Sequence, residues 1–181
     1  TDQMTGLANR YRLNDYSDKV LDYCYEHRLP LAMEILDIDF FKQYNDNYGH
    51  QQGDECIIAI ADELKKMEDR QTFCARYGGD EFVIIYAGVS AEEVHAKAGA
   101  LRQNIMNLKL EHLYSKALPI VTISQGISYG VPEEGNRSWD FLHTADMLLY
   151  QVKKKSRNDI CIADIRGQEL DLSSKQEKVE P

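Results

Sequence analysis

The feature that most constrains this chain is a pair of strand-like runs, Thr72–Arg76 and Glu81–Ala87, separated only by Tyr77-Gly78-Gly79-Asp80. So short a connection can join only antiparallel neighbours, and the spacing predicts a β-hairpin whose tight end uses glycine and whose tip turns an acid outward. The hairpin sits among segments of a different kind. Residues 8–28 carry Leu13, Tyr16, Val20, Leu21 and Tyr25 at helical spacing, closed by Pro30. Leu31 to Ile38 is short and nearly all apolar, with one Glu, as expected of a buried strand. Asn45 to Tyr48, followed by Gly49, reads as a turn, and Asp54 to Met67 reads as a helix. Helices are further expected over 90–109 and 139–155, and strands over 119–129 and 159–163. Strands alternating with helices, plus one hairpin, imply an α/β (α+β) sandwich with a mixed sheet and helices on its faces.

With 181 residues and no internal repeat the chain fits one domain, expected to span residues 1–166. Residues 167–181 are polar, charged and free of aromatics, and are expected to be disordered. No apolar run is long enough to cross a membrane. A net charge of −9 argues against nonspecific nucleic-acid binding, which needs dense Lys and Arg, yet leaves room for a small anionic ligand held by local cations or a metal. Cys24, Cys56, Cys74 and Cys161 form no CxxC pair and read as buried thiols. The absence of a secretory signal fits a cytoplasmic location. The abrupt opening at Thr1-Asp2 reads as an excised piece of a longer protein whose regulatory domain lies upstream.

Two acidic clusters carry the chemistry. Asp37-Ile38-Asp39 ends the apolar strand, where alternation puts both carboxylates on one face and Ile38 on the other. Alone, the pair reads first as solvated acids at a strand terminus and only second as metal ligands. Asp80-Glu81 follows Gly78-Gly79, where bare backbone can approach a phosphate and acids can hold Mg²⁺; such a turn also arises for structural reasons alone. Asp54 also reads as a helix N-cap, and Lys153-Lys154-Lys155 as a solvated helix end.

The stretch Arg76-Tyr77-Gly78-Gly79-Asp80-Glu81-Phe82 resembles the signature of the GGDEF family, the catalytic domains of diguanylate cyclases. Four further blocks resemble that family in its own order. They are Asp2-Gln3-Met4-Thr5-Gly6-Leu7-Ala8-Asn9-Arg10; Asp37 to Lys42; Asn45 to His50 with Gly53-Asp54; and Ala145-Asp146 through Tyr150, Lys153 and Arg157-Asn158. The resemblance implies a central, largely antiparallel mixed sheet flanked by helices, related to nucleotidyl cyclases and the palm of polymerases. It implies a homodimer with one GTP per subunit that condenses two GTP into cyclic di-GMP and two pyrophosphates. Carried over by motif position, Asp37, the Ile38 carbonyl and Asp80 would bind Mg²⁺ or Mn²⁺. Asp80 would accept the proton. Asp39 and Glu81 would support the metal or the turn. Asn45 and Asp54 would read guanine, and Lys42, Lys153 and Arg157, with the backbone of Phe40 and Phe41 and the Gly78-Gly79 turn, would hold the phosphates. His50 would be structural, and Gly6, Leu7, Asn9 and Arg10 would organise the start of the domain and its dimer geometry.

The sequence departs from the family pattern in three places. Ser156 stands where glycine is usual and Val152 precedes Lys153. The RxxD product-inhibition motif is replaced by Asp69-Arg70-Gln71-Thr72, so product inhibition there is not expected. The alternative is a catalytically silent module that binds GTP or cyclic di-GMP. A partly ATP-using enzyme making a mixed dinucleotide and a purely dimerising interaction domain are further rivals, the first disfavoured by Asp54.

Overall fold

The computed structural model describes residues 1–172. The elements run α1 (Arg10–His27), β1 (Leu31–Ile38), α2 (Phe41–Tyr48), α3 (His50–Lys65), β2 (Thr72–Arg76), β3 (Glu81–Ala87), α4 (Ala91–Asn107), β4 (Ile123–Gly130), α5 (Ser138–Lys155) and β5 (Ile160–Ala163). The five strands form one sheet in the order β2-β3-β1-β4-β5, antiparallel throughout except for the parallel β4–β5 pair. This is the mixed, largely antiparallel sheet expected.

β1 lies at the centre with all eight residues buried, which explains why its apolar run scarcely alternates. Its two faces feed two cores. Leu31, Met33 and Ile35 pack with Leu13, Leu21 and Cys24 of α1 and Phe141, Ala145 and Leu149 of α5. Ala32, Leu36 and Ile38 pack with Ile57, Ile60 and Leu64 of α3 and Val94, Ala98 and Leu101 of α4. The helices start where the sequence supplies caps. Asn9 Oδ1 accepts from the Arg12 amide at 2.9 Å, and Ser90 Oγ from the Glu93 amide at 3.2 Å, each satisfying a first-turn donor. α5 lies so close to β4 that a Cβ on Gly126 would strike the Ala145 carbonyl and the Leu149 backbone.

Several sequence expectations are corrected. Asn45 to Tyr48 is not a turn but the second half of α2. Tyr44 is buried at 2% exposure and stacks near Tyr48 and His112, and this anchor outweighs the local turn preference of Asn and Asp. The chain turns instead at Gly49, whose φ of 89° suits glycine. α3 therefore starts at His50, so Asp54 lies inside it and is not its N-cap; His50 is exposed. Residues 119–122 do not extend β4. Residues 119–121 pair back on residues 110–112, with the Val121 amide donating to the Leu110 carbonyl and the His112 amide to that of Pro119, while the Thr122 carbonyl accepts from the Asp39 amide. Cys24, Cys56 and Cys74 are buried thiols, but Cys161 is half-buried at the sheet edge.

The described part of the expected tail, residues 167–172, makes contacts with the domain. Ala163 bridges Glu169, the Leu170 amide donates to the Ile162 carbonyl, and Leu170 and Leu172 rest against the core. Residues 173–181 lie outside the described residues. Among the described residues no helix is long and apolar enough to cross a membrane.

Candidate active site

β1 and β3 bring the two acidic clusters together. Asp37 and Glu81 are direct partners across the antiparallel pair, so their side chains share a face at one end of the sheet, and Asp80 precedes Glu81 in the connecting loop. The loop is fixed from outside. Arg76 donates to the Gly78 and Gly79 carbonyls at 3.0 to 3.3 Å and pairs with Asp2 at 3.4 Å, while Arg10 stacks over Tyr77 at 4.4 Å and donates to its hydroxyl. Asp2 in turn accepts from the Thr5 amide and hydroxyl. The opening block of the sequence thus buttresses the hairpin, a role for Asp2 and Arg76 that sequence reasoning missed.

Neither Gly78 nor Gly79 has a positive φ, so the turn itself does not require glycine, contrary to expectation. A Cβ at Gly79 would meet nothing within 4 Å, and one at Gly78 only Glu81 Oε2, at 3.9 Å. What the glycines provide is open floor beside the acids.

Three acids crowd this end of the sheet. Burial pushes the Asp37 carboxyl up to about 7, further than its ion pair with Lys153 pulls it down. Burial also raises Asp80, and burial plus the neighbouring Asp80 raises Glu81. Lys153, in the last turn of α5, engages Asp37 Oδ2, yet Oδ1 is buried without a partner. An orphaned carboxylate oxygen among acids that resist ionising together fits a divalent cation. Among the described residues no three His, Cys, Asp or Glu side chains form a cage. Two carboxylates with a backbone carbonyl suit Mg²⁺, which takes few protein ligands and fills its octahedron with water and phosphate oxygens.

Asp39 does something else. Fully buried, it accepts from Thr122 Oγ1 at 2.8 Å, Ser124 Oγ at 2.6 Å and the Asn158 amide at 2.9 Å, with the Arg157 guanidinium at 3.7 Å. Arg102 holds the other side of Asn158, donating to its carbonyl at 2.6 Å. Arg157 and Asn158 both adopt left-handed backbone, at φ 54° and 45°, a conformation that needs such anchoring. Arg157 then stacks over the Phe40 ring at 4.0 Å. Asp39 thus clamps the Arg157-Asn158 turn, a different turn from the Gly78-Gly79 one it was expected to support. Thr122, Ser124, Arg102 and Asn158 carried no signal that identified them with this clamp beforehand.

Phe40 is itself left-handed, at φ 54°, and opens α2 with no side-chain cap on the first-turn amides. Phe41 and Lys42 follow it, Lys42 exposed and Phe41 packed against the core; Ile38 points into that core from β1. Asn45 Oδ1 is buried without a partner where α2 crosses α3 at Gly53, and Asp54 is exposed beside it. Most of the expected residues fall into three groups: Asp37, Asp80, Glu81 and Lys153 with the Gly78-Gly79 loop at the sheet end; Phe40 with Arg157; and Asn45, against Gly53, with Asp54 next in sequence; Ile38, Phe41 and Lys42 stand outside them.

Known proteins share this fold. The family model described as diguanylate cyclase, GGDEF domain, matches residues 1–159. The probable diguanylate cyclase DgcC of Escherichia coli K12 is 34% identical over 160 residues, 87% of this chain and 41% of DgcC. The response regulator PleD of Caulobacter vibrioides is 32% identical over 160 residues, 88% of this chain and 35% of PleD, so the chain spans under half the length of either relative. The crystal structure of the GGDEF domain of DgcB from Caulobacter crescentus, in complex with c-di-GMP, matches with a TM-score of 0.80 at 30% identity, covering 90% of this chain and 92% of that one. A family match running from residue 1 to residue 159 encloses the hairpin, the acids and their clamps in a single unit, and the chain belongs to the GGDEF family of diguanylate cyclase domains.

Proposed function

We propose that this chain condenses two GTP molecules into cyclic di-GMP and two pyrophosphates, working as a homodimer with one GTP per subunit. The observation that carries the reading is the Asp37–Glu81 register: it sets a buried acid with a free oxygen beside a second acidic cluster on an open, side-chain-free turn. Asp37, Asp80 and the Ile38 carbonyl would hold Mg²⁺ or Mn²⁺. That ion supplies positive charge against the negative charge that develops on the α-phosphate.

The remaining roles belong to side chains and backbone. The Gly78-Gly79 turn and the Phe40-Phe41 backbone line the phosphates, with Lys42, Lys153 and Arg157 neutralising them. The 3′-hydroxyl of the GTP in one subunit attacks the α-phosphorus held by the other. The new P–O bond forms as the bond to the bridging oxygen breaks, and pyrophosphate leaves with the electron pair. Asp80, next to the Gly78-Gly79 turn, takes the hydroxyl proton. Glu81 supports the turn. Performed reciprocally, the same step closes the ring, which is why two facing sites are needed.

Base choice follows from donors and acceptors. The Asp54 carboxylate can accept from N1 and N2 of guanine, and the partnerless Asn45 Oδ1 is a second acceptor nearby. Adenine lacks those donors and would leave the acceptors unpaired. The stretch Asp69-Arg70-Gln71-Thr72 has neither Arg at its first position nor Asp at its last, so product inhibition through an RxxD motif is not expected there. A cytoplasmic location, where GTP is available, and a regulatory domain on a longer polypeptide complete the proposal.

The test is to incubate concentrated protein with GTP and Mg²⁺ and follow cyclic di-GMP by chromatography, beside an Asp80→Ala variant and an ATP control. Product from the parent with GTP alone supports the reading. No product from a demonstrated dimer overturns it in favour of a silent nucleotide-binding module.

A further inference from the structure

Between α4 and β4 the chain forms a short antiparallel excursion, residues 110–121, whose ladder bonds join Leu110 to Val121 and His112 to Pro119. This excursion grips α2 at both ends. Tyr48, the last residue of α2, receives the Leu113 amide at 3.0 Å and donates to Glu111 Oε2 at 3.3 Å. At the start of α2 the fully buried His112 ring packs edge-on to Tyr44, and its Nε2 lies 2.9 Å from the Phe40 carbonyl. A carbonyl can only accept, so Nε2 carries the proton and donates. Nδ1 is buried with no partner.

A ring placed against Tyr44 and Tyr48 does not need nitrogen for packing. An apolar ring would fill the same space without stranding Nδ1, which costs stability when buried unpaired. What the nitrogen achieves is a bond to Phe40, a bulky residue held at φ 54° with only the Tyr44 amide otherwise on its carbonyl. We infer that His112 is a positioning residue for nucleotide binding: its bond to the Phe40 carbonyl holds that strained residue and thereby aims the Phe41 and Lys42 amides at the phosphates. The inference rests on the reading of Phe40 to Lys42 as phosphate contacts.

The experiment titrates GTP and guanosine into the parent, His112→Phe and His112→Gln, with thermal melts alongside. His112→Phe keeps the parent's melting temperature or exceeds it, binds GTP about five- to tenfold more weakly, and binds guanosine as the parent does, because the base-reading end of the site is untouched. His112→Gln, which retains a side-chain N–H donor, recovers most of the GTP affinity. Should the Phe variant not fold, His112→Leu against His112→Gln gives the same contrast. Unchanged GTP binding without the donor, or an equal loss for guanosine, overturns the inference. A parent that binds GTP no better than guanosine removes the phosphate reading itself, and that failure is distinct from one confined to His112.

Discussion

Gly53 lacks a side chain where Asn45 needs the room: a Cβ on Gly53 would run into Asn45 Oδ1 and come within 3.0 Å of its Cγ and 3.3 Å of Phe41 Cζ. Two helices joined at Gly49 can cross this tightly only if one of them is bare at the contact. The crossing sets the free Oδ1 against Gly53, the residue before Asp54. Gly53→Ala should gain up to about 1 kcal/mol of helix propensity and still weaken guanine recognition, because Asn45 must rotate or α2 must lift. The expected result is a loss of roughly tenfold for GTP and for guanosine alike. Titration of both ligands checks it, and undiminished guanosine affinity would show that Asn45 does not face the base.

Asp37 and Asp39 are two residues apart and divide their work, one left with a free oxygen and the other saturated. Asp39→Asn places an amide opposite two hydroxyls, a backbone N–H and a guanidinium. Losing one partner of a buried charged network costs about 3–5 kcal/mol, and urea unfolding should show a drop of that order. Asp37→Asn relieves crowding among buried acids and should leave stability unchanged or slightly higher, while cyclic di-GMP formation disappears. Equal destabilisation by the two variants would contradict this division.

The legible part of this chain was local. The limits of β2 and β3 are those the hairpin spacing indicated, and Leu31–Ile38 is buried from end to end because its composition demanded it. What could not be read was the register that seats Asp37 against Glu81, since pairing depends on how the whole sheet packs. α2 was misjudged because Asn45, Asp46 and Asn47 favour turns locally, whereas Tyr44 and Tyr48 are held by a loop more than sixty residues later in the sequence. The motif exposed Asp39 but not its task, because Thr122, Ser124 and Asn158 reach it from other elements. His112 stood out in no pattern at all.

The packing of α5 on β4 gives a prediction remote from the acids. Gly126→Ala inserts a methyl group against the Ala145 carbonyl and the Leu149 amide, which belong to helical backbone and cannot rotate aside. α5 must shift outward, and Lys153 at its end moves with it. Overpacking of this kind costs about 1–3 kcal/mol. Urea titration should show that loss, and turnover per folded molecule should fall as well. Full turnover in a destabilised variant would mean that α5 gives way without disturbing Lys153.

Glu34 supplies the pH prediction. It lies in the middle of β1, wholly buried; Oε1 accepts from the Tyr86 hydroxyl at 2.9 Å and Oε2 has no partner. Burial pushes its carboxyl from an ordinary 4.5 up to about 8, and the Tyr86 bond offsets only part of that. Tyr86 and the buried Cys74 thiol, both raised themselves, are the titratable groups that interact with it, and no cation is among them. Below the ordinary value both folded and unfolded chains hold the proton, and Glu34 costs nothing electrostatically. Between 4.5 and about 8 the unfolded chain releases the proton while the folded one keeps it, so stability falls as pH rises, by about 1.4 kcal/mol per unit, and levels off above that window. Glu34→Gln removes the titration with almost no change in shape. The variant should match the parent in mild acid and exceed it by roughly 2–4 kcal/mol near neutral pH. Urea unfolding of both proteins across the window measures the difference directly. A gap that does not widen with pH would mean that Glu34 finds a partner for its charge in the folded state.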